Sequence, residues 1–340
     1  MKVLVGISGG VDSAVCALRL IQLGYTVEAA VLRMHEYTET DACEAVAASL
    51  GVPLHVVDCT EPFDRIVKEN LVREYSAGRT PNPCVICNER VKFAYLYSYA
   101  LEHGFDFIAT GHYARVEWLD GRLTFRIAED SRKDQSYMLY RLPQHILSRL
   151  LLPLADMTKT EVRAIAEKCG LSVADKPDSQ EICFLPDGGY ADFVESRAGS
   201  FAEGSFVSPD GRILGKHKGI IHYTVGQRKG LGIALGERAY VTDINPEENT
   251  VTLSSDFLGK TEIKVSSAVL SGFAPSDDEA TVSVRVKLRY TAPLENAVAT
   301  VYPDGTATLT FDRPVRSAPG QSAVAYDGEG RVLFGGYIDR

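Results

Sequence analysis

The chain is 340 residues long, 45% apolar and 24% charged, an ordinary globular composition with room for two or three domains of about 150 residues each. Its net charge of −9 counts against non-specific nucleic-acid binding. With no run of about 18 apolar residues, no membrane span is expected, and a first strand starting at Lys2 or Val3 leaves no room for a signal peptide. Seven cysteines, an odd count in a chain this long, do not make a secreted disulfide framework. They predict a reducing, cytoplasmic setting in which cysteines grouped outside the core bind metal or react.

Val3, Leu4, Val5 and Ile7 predict a short buried strand, and residues 11–23, apolar on most faces, a buried helix that Gly24 is placed to cap. Between them lies Ser8-Gly9-Gly10-Val11-Asp12-Ser13. Its glycines let the backbone approach a ligand closely, and the helix that follows aims its first N–H groups and positive dipole end at the same spot. With the hydroxyls of Ser8 and Ser13, this is an arrangement for phosphate. It is not a Walker A motif, because no Gly-Lys-Ser/Thr follows. It resembles the PP-loop of ATP pyrophosphatases, which cleave ATP between the α and β phosphates and adenylate a carbonyl oxygen.

Residues 27–32, 54–58 and 107–110 predict further strands, with an Ala-rich helix at 42–50 stopped by Gly51. Such alternation argues for a parallel sheet with helices on both faces, whose ligands lie at the carboxyl ends of the strands. That rule brings Ser8–Ser13, Arg33-Met34 and Thr110-Gly111-His112 to one crevice, where Met34 is either core packing or a wall for an adenine ring. Thr158 and Glu161 form a capping box for a helix over 158–169, followed by Gly170. Cys169 falls on its apolar face and, like Cys16, Cys43 and Cys59, reads as core.

The stretch from Arg79 to Asn88 differs. Pro81 and Pro83 predict an extended segment, with a helix opening only at Asn88-Glu89 and running to about His103. Cys87 would then lie at a helix N-terminus, where a thiol pKa falls from about 8.5, often into the ~3.5–7.5 range. That suits a nucleophile or a metal ligand. Cys84-x-x-Cys87 is half of a zinc site, but no second pair completes it. Cys183, in a loop bounded by Pro177 and Pro186, reads by itself as a small buried hydrophobe.

After about Phe193 the helical signals give way to strands and turns. Residues 282–290 alternate strictly: Val282, Val284, Val286, Leu288 and Tyr290 on one face, Ser283, Arg285, Lys287 and Arg289 on the other. This predicts a half-buried antiparallel sheet or barrel with a basic row outside. The row is either a solvated face or, with Lys216, Lys218, Arg228 and Lys229, a phosphate-contacting one. His217 and His222 are weak as metal ligands.

Over essentially its whole length the chain resembles the bacterial tRNA 2-thiouridylases (MnmA family). The resemblance rests on residues 6–13, Gly78-Arg79-Thr80-Pro81-Asn82-Pro83, Cys87-Asn88, Ala109-Thr110-Gly111-His112-Tyr113 and Lys133-Asp134-Gln135-Ser136-Tyr137. It continues through Asp178-Ser179-Gln180, Ile182-Cys183-Phe184, residues 224–232, Arg289-Tyr290 and Pro319-Gly320-Gln321. It implies an α/β plus all-β architecture. A PP-loop parallel-sheet domain, HUP-like and Rossmann-related, would span 1–192. A small β-rich central domain at 193–259 and a β-barrel-like domain at 260–340 would follow, both touching tRNA. It also implies ATP-dependent replacement of O2 of the wobble uridine by sulfur in tRNAs for Lys, Glu and Gln, with Mg²⁺ and a sulfur-relay or cysteine desulfurase donor protein.

Carried over residue by residue, Gly6, Ile7, Ser8, Gly9, Gly10, Val11, Asp12, Ser13, Met34 and Gly111 would bind ATP, Asp12 also helping to hold the metal. Cys87 would be the nucleophile and Cys183 the persulfide carrier. Asn82, Pro83 and Cys84 would approach the target base, and His112, Lys133, Asp134, Gln135, Arg289, Tyr290 and Gln321 would touch tRNA. Many members have Asp, proposed as an acid/base, where this chain has Cys84. The thiol opens a second expectation, an iron–sulfur cluster on Cys84, Cys87 and Cys183 with a free fourth position. The alternatives are another PP-loop pyrophosphatase acting on a small molecule, or a non-catalytic nucleotide- or tRNA-binding module.

Overall fold

A computed structural model describes residues 1–171, 173–174, 182–185, 189–233, 236, 238–256, 259–274 and 278–340. The Asp178-Ser179-Gln180 stretch lies outside the described residues. No described helix is long and apolar enough to cross a membrane.

Five parallel strands form the first sheet, in the order β3-β2-β1-β4-β7: β1 Lys2–Gly6, β2 Thr26–Arg33, β3 Leu54–Asp58, β4 Phe107–Thr110 and β7 Leu150–Leu151. Val3, Leu4 and Val5 have no exposed surface, because both faces of a central parallel strand are covered. Helix α1 (Val11–Gln22) buries Val11, Ala14, Val15, Cys16, Ala17 and Leu20 on one face of the sheet, beside α2 (Thr40–Leu50) and α9 (Lys159–Lys168). On the other face lie two long helical rods. One runs from α3 (Thr60–Phe63) through a π-turn, Asp64–Lys68, into α4 (Glu69–Ser76). The other runs from α5 (Pro83–Cys87) through a second π-turn, Asn88–Lys92, into α6 (Phe93–Glu102). The strand order reverses between β1 and β4, which puts the crevice where the loops after those two strands meet.

A hairpin, β5 (Arg115–Leu119) and β6 (Arg122–Arg126), and two short helices, α7 (Ser136–Leu139) and α8 (Gln144–Leu147), complete this part. Helix α10 (Tyr190–Ala198), which the loss of periodicity after Phe193 did not predict, packs on α4. Tyr190 stacks on Tyr75 at 4.1 Å, and Arg197 Nη2 lies 2.6 Å from Asp64 Oδ1. Strands β8 (Gly204–Val207), β9 (Ile213–His217), β10 (Tyr240–Asn245) and β11 (Thr250–Ser254) make a mixed sheet. A closed antiparallel barrel follows, made of β12 (Lys260–Leu270), β13 (Ala280–Lys287), β14 (Glu295–Val301), β15 (Ala307–Val315), β16 (Ser322–Tyr326) and β17 (Val332–Ile338). Closure removes the exposed sheet edges.

The barrel is docked on the first domain through buried polar contacts: Tyr137 Oη donates to Ser322 O at 2.9 Å, and Arg141 joins Glu89 Oε2 at 2.8 Å to Ser267 O at 3.0 Å. Each group is desolvated and each has a partner, so the interface is fixed in register as well as held together.

Two readings are corrected here. Cys169 is exposed, because α9 ends at Lys168 and the residue after it turns off the apolar face. The basic residues of β13 are not a solvated row. Arg285 donates to Asp327 O at 3.3 Å and Gly328 O at 3.2 Å, so its charge caps the barrel's own turn.

At Gly111 a methyl group would stand 2.6 Å from Asp12 C and 2.7 Å from Ser13 N, backbone atoms that cannot give way. Gly111→Ala is therefore expected to cost roughly 1–3 kcal/mol of stability, read as a lower urea midpoint; an unchanged midpoint would show that the two segments are not in contact.

Candidate functional site

The loop after β1 is shaped by its own serines. Ser8 N–H donates to Ser13 Oγ at 3.1 Å, and Ser13 Oγ donates to Gly10 O at 3.0 Å. Ser13 is thus buried and turned inward, whereas Ser8 stays exposed. Gly9 has φ +69°, and a Cβ there would stand 2.7 Å from Ala42 Cβ, so α2 rather than a ligand demands this glycine. Gly10 is the N-cap of α1, and no side chain caps the helix. Its amino end faces the crevice as a site for an anion.

Asp12 is already engaged. Lys159 Nζ lies 2.7 Å from each of its carboxylate oxygens, and Tyr113 Oη donates to Oδ1 at 2.7 Å. Asp12, expected to help hold the metal, thus has both carboxylate oxygens on the Lys159 ammonium. Lys159, the first residue of α9, and Tyr113, two residues beyond Gly111, are members of the site that sequence reasoning missed. The capping box marks Lys159 as a helix start, but nothing local pairs it with a residue so far back in the chain.

The thiol region also departs from expectation. The helix opens at Pro83, not Asn88, since proline is well suited to the first helical position and Asn82 Oδ1 caps Cys84 N–H at 3.2 Å. Cys87 lies more than a turn inside the helix, 7% exposed, and burial pushes its thiol up to about 12, the reverse of the lowering expected at an N-terminus. Its Sγ stands 3.8 Å from Met34 Sδ. Met34 also lines a cavity of about 470 Å³ together with Arg33, His35 and Lys68.

Cys84, at the second helical position, has exposed surface, as does Cys183. Burial raises the thiol of Cys183, and the neighbouring Cys84 raises it further. Phe184 anchors the Cys183 segment, edge-on to Phe63 at 5.3 Å and Phe193 at 5.5 Å. A cluster on Cys84, Cys87 and Cys183 does not fit, however. Among the described residues no group of three or more His, Cys, Asp or Glu is gathered closely enough to hold a metal ion. Cys87 faces Met34, and the three sulfurs do not share a coordination centre.

The loop carrying Asn82 and Pro83 is braced from two sides. Asn82 Nδ2 donates to Met138 Sδ at 3.3 Å, and Gln321 Nε2, from the barrel, donates to Thr80 O at 2.8 Å. Tyr290, also from the barrel, lies within electrostatic reach of Cys84 and Asp134. Arg289 Nη2 donates to Val225 O, in the loop before β10, at 2.8 Å, while its buried Nε has no partner among the described residues.

Asp134 is buried, and its carboxylate accepts from Ala128 N, Ser136 N and Ser136 Oγ, so it shapes a loop. Gln135 Oε1 accepts from Tyr113 N at 2.9 Å, and Lys133 N donates to Asp130 O at 2.9 Å. Both side chains are half-buried. His112 Nδ1 is paired with Thr110 Oγ1 at 2.8 Å, and burial, then the Lys92 charge, hold its pKa well below the ordinary value, so the ring is neutral.

Residues 1–187 match the family described as "tRNA methyl transferase HUP domain", residues 191–255 its PRC-barrel domain and 260–338 an aminomethyltransferase β-barrel domain. A solved 4-thiouridine synthetase–RNA complex with bound ATP matches 54% of this chain and 44% of its own at 19% identity and a TM-score of 0.37, too low a likeness to inform fold or function. The tRNA-specific 2-thiouridylase MnmA of Lachnoclostridium phytofermentans is 42% identical, covering 98% of each chain. Its namesake from Acetivibrio thermocellus is 42% identical over 99% of this chain and 98% of its own. On this likeness, which runs through all three parts of the molecule, the chain belongs to the tRNA-specific 2-thiouridylase MnmA family.

Proposed function

We propose that the protein replaces O2 of the wobble uridine by sulfur in tRNAs for Lys, Glu and Gln, at the expense of ATP. The observation that carries this reading is the 42% identity to a tRNA-specific 2-thiouridylase over nearly the whole chain, supported by Cys87 Sγ lying 3.8 Å from Met34 Sδ, just past the end of β2, the strand beside β1. A nucleotide site and a sulfur nucleophile are what thiolation of an unreactive carbonyl requires.

The C2 carbonyl is urea-like and its oxygen leaves poorly, so adenylation from ATP supplies the leaving group, AMP. Residues 6–13, Met34 and Gly111 hold the nucleotide, with α1 directing its amino end at the phosphates. Asp12, neutralised by Lys159, keeps the loop in shape without repelling them. Asn82, Pro83 and Cys84 face the base. The terminal sulfur of a Cys183 persulfide, loaded by a sulfur-relay protein or a cysteine desulfurase, bonds to C2 as AMP departs. Cys87 Sγ then attacks Cys183 Sγ. The Cys183–sulfur bond breaks, its electron pair stays with the sulfur on C2, and a Cys87–Cys183 disulfide remains to be reduced by an external thiol. Arg289, Tyr290, Lys133, His112 and Gln321 line the approach of the tRNA.

Cys87→Ser and Cys183→Ser are each expected to abolish 2-thiouridine formation, measured by mass spectrometry of nucleosides from tRNA incubated with ATP and a persulfide donor; full activity in either variant would sink the two-thiol mechanism. Cys84→Ser is expected to retain most of the activity, and protein purified without oxygen to be colourless. A brown protein, with the Cys84 variant dead, would demand a cluster instead.

A further inference from the structure

The segment that leads to the thiols has few N–H groups to give its own carbonyls. Pro81 and Pro83 have none. The Arg79 N–H goes to Glu74 O at 2.9 Å, and the Cys84 N–H to Asn82 Oδ1 at 3.2 Å. The missing donor comes from the barrel. Gln321 Nε2 gives to Thr80 O at 2.8 Å and reaches Pro81 O at 3.4 Å, so one amide serves two consecutive carbonyls. The Thr80 N–H donates in return to Pro319 O at 2.8 Å.

Gln321 is itself fixed. Its N–H donates to Ala318 O at 3.2 Å, and its carbonyl accepts from Ile338 N–H, at the end of β17, at 2.8 Å. At Gly320, with φ +87°, a Cβ would stand 3.0 Å from Arg79 Cβ and 3.1 Å from Thr80 N, so the turn lies hard against the segment. The hold passes onward through Asn82. Its Oδ1 caps α5 at Cys84, its Nδ2 donates to Met138 Sδ at 3.3 Å, and α5 carries both Cys84 and Cys87. From β17 to the buried thiol, each link is a hydrogen bond or a stretch of continuous chain.

The resemblance implied a tRNA contact for Gln321, yet its amide nitrogen is spent on the protein's own backbone. Resting on the two-thiol mechanism above, we propose that Gln321 is a positioning residue for sulfur transfer: by holding the carbonyls of Thr80 and Pro81 it sets where α5 begins, and with it the place from which Cys87 attacks Cys183. The brace is complete before any tRNA arrives, so it acts on the rate of the thiol step and not on tRNA affinity. The position demands a donor. Glutamate, of equal length, would turn an acceptor toward two carbonyl oxygens, and methionine would leave both without a partner.

The test uses the full-length protein without tRNA or ATP, loaded at Cys183 with inorganic polysulfide. There Cys87 Sγ bonds to Cys183 Sγ, the Cys183–sulfur bond breaks and hydrosulfide leaves, so the step balances without an added oxidant. In Gln321→Met, sulfide release is expected to slow about tenfold, as a small misplacement of a reacting group does, and in Gln321→Glu to slow further. Gln321→Lys, a donor of similar reach, is expected to restore most of the rate. Multiple-turnover thiolation is expected to show the same order in kcat, with KM for tRNA unchanged. Gln321→Asn, too short to reach both carbonyls, gives the same comparison if the Met variant does not fold. Wild-type release and kcat in a folded Met, Glu or Asn variant, or a rise in KM for tRNA alone, overturns the proposal. If Cys87→Ser releases sulfide at the wild-type rate, it is the two-thiol mechanism that fails.

Discussion

The closeness of two backbone segments, the turn after β4 and the first turn of α1, governs the rest of the molecule. They touch at Gly111, where there is no room for a single methyl group, and are pinned alongside by Asp12 bound to Lys159 and Tyr113. A carboxylate clasped by an ammonium in a half-buried position is held far more firmly than a surface pair. It ties α1, the loop after β4 and α9 into one wall. Because the wall is rigid, the amino end of α1 points into the crevice in a fixed direction.

Across the crevice the chemistry is set by burial working against charge. Desolvation keeps the thiols protonated, which protects them from casual oxidation. The two π-turns each end on a lysine, Lys68 and Lys92, and both lysines lie within reach of Cys183. Lys68 is tied up by Glu36 and Asp64, whereas no carboxylate among the described residues pairs with Lys92.

Much of this was legible beforehand, for physical reasons. Strands β3 and β4 match the expected residues because buried parallel strands are short apolar runs between breakers. The capping box at Thr158 and Glu161 is a local motif with its own signature, and both of its hydrogen bonds form. The strand–loop–helix form of residues 3–22 and the alternation of β13 were readable in the same way. The errors arose where one residue has two uses. Pro83 breaks a helix in mid-course but starts one at its first position, so Cys87 was placed at the wrong point along it. Cys169 was misplaced because a helical face ends where the helix does. The Asp12–Lys159 pair, the contact of Met34 with Cys87 and the hold of Gln321 on Thr80 join distant parts of the chain, and no local pattern records them.

That last contact has a consequence for the order in which the enzyme is made. The segment leading to the thiols is gripped by residues synthesised at the far end: Thr80 N–H bonds Pro319 O at 2.8 Å, Gln321 holds Thr80 O, and Arg340 Nη2 reaches Ala77 O at 2.6 Å. A chain still emerging from the ribosome would carry the nucleotide loop and Cys87 early, yet lack the brace that shapes the segment. The segment before the thiols would take its final shape only after the barrel has been synthesised and folded onto it.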